Sequence, residues 1–512
     1  MIRNGIKQRN LHVTKFLKNS TTTTARNIMS GGNFDTSSVQ FTVQDTARIV
    51  TLNRPQKLNA LDTEMCDSIY NTLNEYSKSK ATNLVLVKSS NQPRSLCAGG
   101  DVAKCALNNL IGKKKYSYDF FKSEYSMNFQ MATYPKPIVV YMDGITMGGG
   151  VGLSIHSPFR IATENTKWAM PEMDIGFFPD VGTTFALPRI INIANNKSQM
   201  AAYLCLTGDV VTGADAFVLG LASHYIPHDN LEGLQNRLSE LHPFAGGSSN
   251  NGKYFDMVDE AIQEFSTSLP DSYKFGFTDC QLDVIERAFN IDANESVTSI
   301  LNSLDSFADA SEEHAMFAKQ VKDKLLQKSM TSLQVALKLL QENSKDSIES
   351  AMKRDLYTAA NFCNDTEVVE FSQAVKHKLV DKQKTPYNWK KREELSAPKV
   401  LSLLSPKPSI LIALNKNHDS VTWKEYPYHR KYQLPREEDI TNYITELNTA
   451  NGGVGNITKN EVIEYFTTIN ESTKGKIGVA EICKLIIARN YTFNKAGGLQ
   501  SNIAESVSDQ LL

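Results

Sequence analysis

The sequence predicts an α/β protein over its first 225 residues, followed by a longer helical region. Three observations carry this. Short β-branched runs alternate with helical stripes, glycine-rich punctuation separates them, and from Leu231 the texture changes to long polar helices.

Ala47 to Asn53 is a β-branched run ending in Asn53-Arg54-Pro55, a strand followed by a turn, after a loose linker from Gly31 to Ser38. Thr63 to Lys78 places Met65, Ile69, Leu73 and Tyr76 on one helical stripe, with Asp62 as N-cap. Asn83 to Val87 is the next strand and Tyr116 to Thr133 the next helix. Pro137 to Met142 reads as a buried strand, Gly148 to His156 as a glycine-initiated helix, and Phe159 to Thr163 as a further strand. Beyond them come helices at Leu231 to Leu241, Tyr254 to Thr267, His314 to Gln327 and Ser332 to Glu342, with the Ser/Gly/Asn run Gly246 to Gly252 as a loop. The pattern breaks at Ala397-Pro398 and again at Pro406 to Pro408. The organisation expected is therefore a leader over 1–34, an α/β core over 40–230, a helical region over 231–392 and a C-terminal appendage over 395–512.

With 512 residues, 41% of them hydrophobic, and only 28 Gly and 17 Pro, the chain is neither collagenous, nor disordered, nor a small disulfide-stapled domain. No run approaches the roughly 18 consecutive apolar residues of a bilayer span. The seven cysteines are scattered, without a CxxC pair or a His at metal-ligand spacing, and read as reduced thiols. The formal charge of -1 conceals an asymmetry. The first 34 residues hold 6 Lys+Arg and no acidic group, and the remainder holds 49 basic against 56 acidic residues. A basic, Ser/Thr-rich, acid-free leader without an apolar h-region reads as a mitochondrial presequence; the plainer alternative is a basic tail.

Three segments carry candidate chemistry. Cys97-Ala98-Gly99-Gly100-Asp101 and Gly144 to Gly152 hold glycines where an element interior avoids them, at roughly 1 kcal/mol each relative to alanine. Such loops can aim backbone N–H groups at a developing oxyanion, although a GGG run alone is also a common turn or helix contact. There is no GxxxxGK[ST] and no GxGxxG opening a helix, so phosphate cradling is excluded. In the third segment, Ala169 to Gly182, Glu172 and Asp180 sit among Met173, Ile175, Phe177 and Phe178. Carboxylates in apolar company are costly to desolvate and point to a role, the alternative being that Glu172 caps a helix or pairs with Arg189.

Taken in order, Asn53-Arg54-Pro55, Leu58-Asn59-Ala60-Leu61, CAGGD, GGG and PE resemble the crotonase (enoyl-CoA hydratase/isomerase) superfamily. MGGGVG, AMPE and FFPDVG are similar to its 3-hydroxyisobutyryl-CoA hydrolase branch, with likeness continuing through Lys376 to Lys382 and Thr385-Pro386, so that it covers residues 40 to 392. The resemblance implies a spiral of ββα units followed by helices, in which the N–H groups of Gly100 and Gly149 form an oxyanion hole for an acyl-CoA thioester. It implies that Glu124, Gly149, Glu172 and Asp180 contact substrate, and that Glu172 and Asp180 are catalytic. For Glu124, the residue pattern alone suggests only a solvated helix carboxylate. Hydratases of the superfamily use a second glutamate after the GGG loop; here that place is Gly152, which cannot carry a proton. Leu96 and Thr183 depart from the branch where an aromatic and a small residue are usual.

The implied reaction is hydrolysis of 3-hydroxyisobutyryl-CoA from valine breakdown in the mitochondrial matrix. No metal or redox cofactor is required, since coenzyme A is part of the substrate, and a homo-oligomer is left open. An enoyl-CoA hydratase or isomerase is the reading that Gly152 opposes. Fungal mitochondrial members of this type are also built into the small ribosomal subunit, which makes that subunit a second candidate partner. From Leu395 onward, however, 13 basic residues face 12 acidic ones, which is no stripe for RNA. The one basic and aromatic cluster, Trp423 to Arg436, is read either as an RNA contact or as a loop with packed aromatics.

Overall fold

A computed structural model describes residues 37–242, 251–270, 272–418, 423–450, 457–494 and 497–502; the presequence expected over 1–34 lies outside them. Residues 37–52 form an antiparallel hairpin of β1 (Val39–Gln44) and β2 (Ala47–Leu52); the sequence reading assigned no element to the first, which follows the linker expected to end at Ser38. β1 is half exposed along an edge and so lacks the apolar density of the buried strands. Helix α1 (Thr63–Lys78) follows, with the Asp62 carboxylate accepting from Met65 N–H as expected, and buries Met65, Cys66, Ile69 and Leu73.

A repeating unit then appears three times. Strand β3 (Leu84–Ser89) is followed by the short β4 (Ser95–Cys97) and helices α2 (Val102–Leu110) and α3 (Lys115–Ala132). Next, β5 (Ile138–Met142) is followed by β6 (Ile145–Met147) and α4 (Gly149–Ser154). Finally, β7 (Phe159–Ala162) leads to β8 (Lys167–Ala169), a 3-10 turn at Glu172–Ile175 and α5 (Thr183–Ile190). The first strand of every unit joins one sheet and the second joins another. With β9 (Val211–Thr212) and β10 (His224–Tyr225), the orders are β1-β2-β3-β5-β7-β10 and β4-β6-β8-β9. Apart from the opening hairpin and β9, the pairings are parallel. Parallel strands covered on both faces need continuous apolar runs, and β5, Ile-Val-Val-Tyr-Met, is buried at every position. This is the expected α/β spiral.

The helical region includes Asp279–Ala288, Val297–Asp305 and Ile348–Phe362, which the sequence reading did not resolve. Two readings need correction. Gly252 lies in the helix Asn251–Gln263, so the loop expected over Gly246 to Gly252 ends before it. Ala397-Pro398 starts a helix, Ala397–Leu404, rather than only breaking one, because proline in the first turn has no hydrogen bond to forfeit. The C-terminal segment adds helices Glu437–Ala450, Lys459–Glu464 and Val479–Asn490, and Ile440, Ile444, Val462, Ile486 and Ile487 bury into the main apolar cluster. Among the described residues no helix is long and apolar enough to cross a membrane.

The Asn-Arg-Pro and Leu-Asn-Ala-Leu motifs hold the second strand of the first unit in place. Asn59, fully buried with φ 57°, accepts from Arg54 N–H at 2.7 Å. It donates to Ser89 Oγ at 2.7 Å and to the Leu96 carbonyl at 2.8 Å. Leu61 N–H in turn donates to the Gly99 carbonyl, and Asp101 N–H donates to the Leu61 carbonyl. Asn59→Ala removes three bonds and strands a buried carbonyl, so unfolding free energy from urea titration is expected to fall by about 2–4 kcal/mol.

Candidate active site

β4, β6 and β8 are adjacent and parallel, with Thr146 opposite both Cys97 and Trp168. The chain therefore leaves all three at the same end, one strand spacing of about 4.8 Å apart. From β4 it runs into Ala98-Gly99-Gly100-Asp101, from β6 into Gly148-Gly149, and from β8 into Met170-Pro171-Glu172. The three segments singled out in the sequence thus meet at the carboxyl ends of neighbouring strands, where open parallel sheets place ligands.

A cavity of about 260 Å³ opens there, lined by Gly100, Gly149, Glu124, Glu172 and Asp180 and walled by Phe121 and Phe177. Among the described residues, neither the Gly100 nor the Gly149 N–H donates to a protein acceptor. The two lie close together, since a β-carbon built on Gly149 comes within 3.3 Å of the Gly100 nitrogen. That β-carbon would also overlap the Glu124 carboxylate, which a side chain at this position would have to displace. Gly152 is closed. A β-carbon there meets Val181 Cβ at 2.8 Å and Asn128 Nδ2 at 2.9 Å, so a glutamate has no room.

Glu124 rises from α3 with 2% exposure, which sets aside its reading as a solvated helix carboxylate. Glu172, 7% exposed, begins the 3-10 turn after β8 and makes no pair with Arg189, whose carboxylate partner is Glu425. Asp180, 5% exposed, accepts from the Tyr125 hydroxyl at 2.6 Å. One oxygen of Glu124 (Oε1) and one of Glu172 (Oε2) are buried with no partner among the described residues. Burial drives the Glu124 and Glu172 carboxyls well above the ordinary range, and the neighbouring Asp180 charge pushes them further. Asp180 is raised to about 7 by burial, against the pull of the Tyr125 hydrogen bond. Three carboxyls in one enclosed site cannot all ionise, so near neutrality they share protons.

Sequence reasoning missed the residues that hold Asp180. Val181 and Gly182 follow it with φ 52° and 74°. A β-branched residue in the left-handed region costs on the order of 1–3 kcal/mol and persists only where its surroundings impose it. Here Asp355, buried on Ile348–Phe362, accepts from Gly182 N–H at 2.8 Å, and His156 binds the Val181 carbonyl at 2.7 Å. Nothing in the local pattern around Asp355 or Tyr125 marked them. Lys378 and Leu379, inside the Lys376 to Lys382 motif, reach the cavity mouth, where Lys378 pairs with Asp174 at 2.7 Å. Cluster Trp423 to Arg436 proves to be packed. Tyr426, His429 and Tyr432 are buried, Arg430 and Arg436 pair with Asp439, and Lys431 pairs with Asp256.

A family model described as enoyl-CoA hydratase/isomerase matches residues 47–404. The chain is 34% identical over 451 residues, 86% of its length and 83% of the relative's, to the small ribosomal subunit protein mS47 of Neurospora crassa. It is 32% identical to the mitochondrial 3-hydroxyisobutyryl-CoA hydrolase of Danio rerio, over 69% of this chain and 85% of that one. Among solved structures it resembles a carnitinyl-CoA dehydratase from Mycobacterium thermoresistibile, with a TM-score of 0.60 and 27% identity, covering 73% of this chain and 97% of that one.

The proton sharing has a measurable sign. Between the ordinary aspartate value and about 7 the native Asp180 holds a proton that the unfolded chain has lost, so stability falls as pH rises through this window. Asp180→Asn removes that loss, and its melting temperature relative to the parent protein is expected to increase from pH 5 to pH 8. A relative melting temperature that falls over this range contradicts a raised Asp180.

Proposed function

Because the chain belongs to the enoyl-CoA hydratase/isomerase family through residues 47–404, we propose that it hydrolyses a short 3-hydroxyacyl-CoA thioester. The substrate is 3-hydroxyisobutyryl-CoA of valine breakdown, cleaved in the mitochondrial matrix. One observation carries the reading. Two unused glycine N–H groups and the carboxyls of Glu172 and Asp180 face one cavity, while position 152 is closed to the side chain that hydration would need.

The thioester carbonyl oxygen sits against the Gly100 and Gly149 N–H groups, which are strongest as donors when that oxygen becomes the tetrahedral oxyanion. Glu172 in its ionised form supplies the attack, either by taking a proton from water that attacks the carbonyl carbon or directly, in which case the mixed anhydride left after C–S cleavage is opened by water at the Glu172 carbonyl carbon, restoring the carboxylate and releasing the free acid. The C–S bond then breaks, and the sulfur of coenzyme A takes a proton from the carboxyl set. Asp180, held by Tyr125, binds the 3-hydroxyl or passes the proton. The hydrolase relative from Danio rerio supports the same reaction class.

A second role is favoured by the mS47 relatives, 34% identical over 86% and 75% of this chain: a component of the mitochondrial small ribosomal subunit. The carboxyl set is complete, so the two roles are compatible. If the chain docks on that subunit, tagged protein sediments with it from mitochondrial lysate at moderate salt; a light peak alone rejects docking.

The enzymatic reading is tested by released thiol from 3-hydroxyisobutyryl, 3-hydroxypropionyl and crotonyl esters of coenzyme A. The 3-hydroxy esters are expected to release thiol, and crotonyl-CoA to keep the absorbance of its conjugated enoyl thioester, which hydration would remove. Glu172→Gln should abolish hydrolysis in a folded protein, and near-parental turnover by that variant rejects the assignment. Gly149→Pro, which removes the Gly149 N–H, should cost about 10² to 10³ in kcat. A single turnover in ¹⁸O-water separates the routes, since only direct attack by Glu172 leaves label in the protein.

A further inference from the structure

The C-terminal segment meets the catalytic loop at one buried chain of hydrogen bonds. His156, at the end of the helical stretch after the glycine loop, has its Nε2 2.7 Å from the Val181 carbonyl oxygen and its Nδ1 2.6 Å from the Tyr426 hydroxyl. A carbonyl only accepts, so Nε2 carries the proton. Burial lowers the imidazole to about 4 and keeps it neutral, so Nδ1 is an acceptor and the Tyr426 hydroxyl must donate to it. The order is fixed: Tyr426 O–H to Nδ1, then Nε2–H to the carbonyl beside Asp180.

Tyr426 is itself immobilised. Its ring stacks on His429 with centroids 3.8 Å apart and meets Phe185 edge-on at 5.2 Å. The segment is tied at three further points. Arg189 donates to the Lys424 carbonyl at 2.7 Å, His429 Nε2 to the Ile155 carbonyl at 3.2 Å, and Ile348 N–H to the Trp423 carbonyl at 2.8 Å. Ile348 begins the helix that carries Asp355, the second group holding the left-handed turn after Asp180.

We propose that the C-terminal segment is part of the active-site scaffold, with Tyr426 and His156 as positioning residues that fix Asp180 through the Val181 carbonyl. The proposal rests on the hydrolase reading in that Asp180 is taken as a working group. Without the tyrosine proton, the imidazole can move its own proton to Nδ1, and its hold on Val181 is lost.

The test uses the full chain as Tyr426→Phe, His156→Gln and the double variant, each with a thermal melt to establish folding. Glutamine can place an amide N–H where Nε2–H lies and has no tautomer to choose. Tyr426→Phe is expected to lower kcat about tenfold or more with KM within about twofold, the cost of a small misplacement. The His156 imidazole ¹⁵N shifts should leave the pure Nε2–H pattern, and the Asp180 carboxyl, followed by ¹³C NMR, should titrate at a different pH. In the His156→Gln background, Tyr426→Phe should add nothing, a non-additivity that general loosening does not produce. Parental kcat and tautomer in Tyr426→Phe, or additive losses in the double variant, overturn the proposal. If the parent protein has no thioesterase activity, the hydrolase reading fails, while the imidazole and Asp180 resonances still decide the positioning chain.

Discussion

The parallel pairing of β4, β6 and β8 is the constraint from which the site follows. Each strand is only three residues long, and each is followed by a segment with no other reason to lie near its counterparts. Pairing sets them side by side, so two glycine turns and the Glu172 turn emerge at one edge. The larger sheet enforces this, because every small strand follows a buried strand of that sheet after a short connection. The Asn59 clamp and the Leu61 bridge to Gly100 secure the outermost of the three loops.

Gathering carboxyls at that edge is electrostatically unfavourable, and the surrounding architecture absorbs the cost. Glu124, Glu172 and Asp180 are all buried, with Asp180 stabilised by one phenol. The backbone immediately after Asp180 is strained at Val181, and three separate elements contribute to holding it: the stretch after α4, the Ile348–Phe362 helix, and the segment around Tyr426. Such concentrations of buried charge and backbone strain are more typical of working sites than of cores.

The C-terminal segment enters the same economy of packing. Of the aromatic and basic residues from Trp423 to Arg436, which in sequence could have faced a nucleic acid, Tyr426, His429 and Tyr432 are buried and Arg430, Lys431 and Arg436 pair with Asp256 or Asp439, while Lys424 stays exposed. A docking role, if the chain has one, must use the exposed faces of this segment, while its buried face packs against the residues around the Asp180 turn.

The sequence by itself determined the α/β class, helix α1 with its Asp62 cap, the buried strand before the second glycine loop, the glycines at positions 100 and 149, and the carboxylates at 172 and 180 in apolar company, whereas Glu124 stood out only through the family resemblance. These were legible because periodicity, capping and misplaced glycines are local signals. Strands β4, β6 and β8 are too short to show a period, and β1 alternates too weakly at its edge to stand out from a linker. The tertiary structure alone decided that Glu124 is buried rather than solvated, that position 152 admits no side chain, and that Tyr125, Asp355, His156 and Tyr426 surround the Asp180 turn. The reason is physical: His156 and Tyr426 are 270 residues apart and Gly182 and Asp355 are 173 apart, and contacts across such distances leave no pattern in either partner's neighbours.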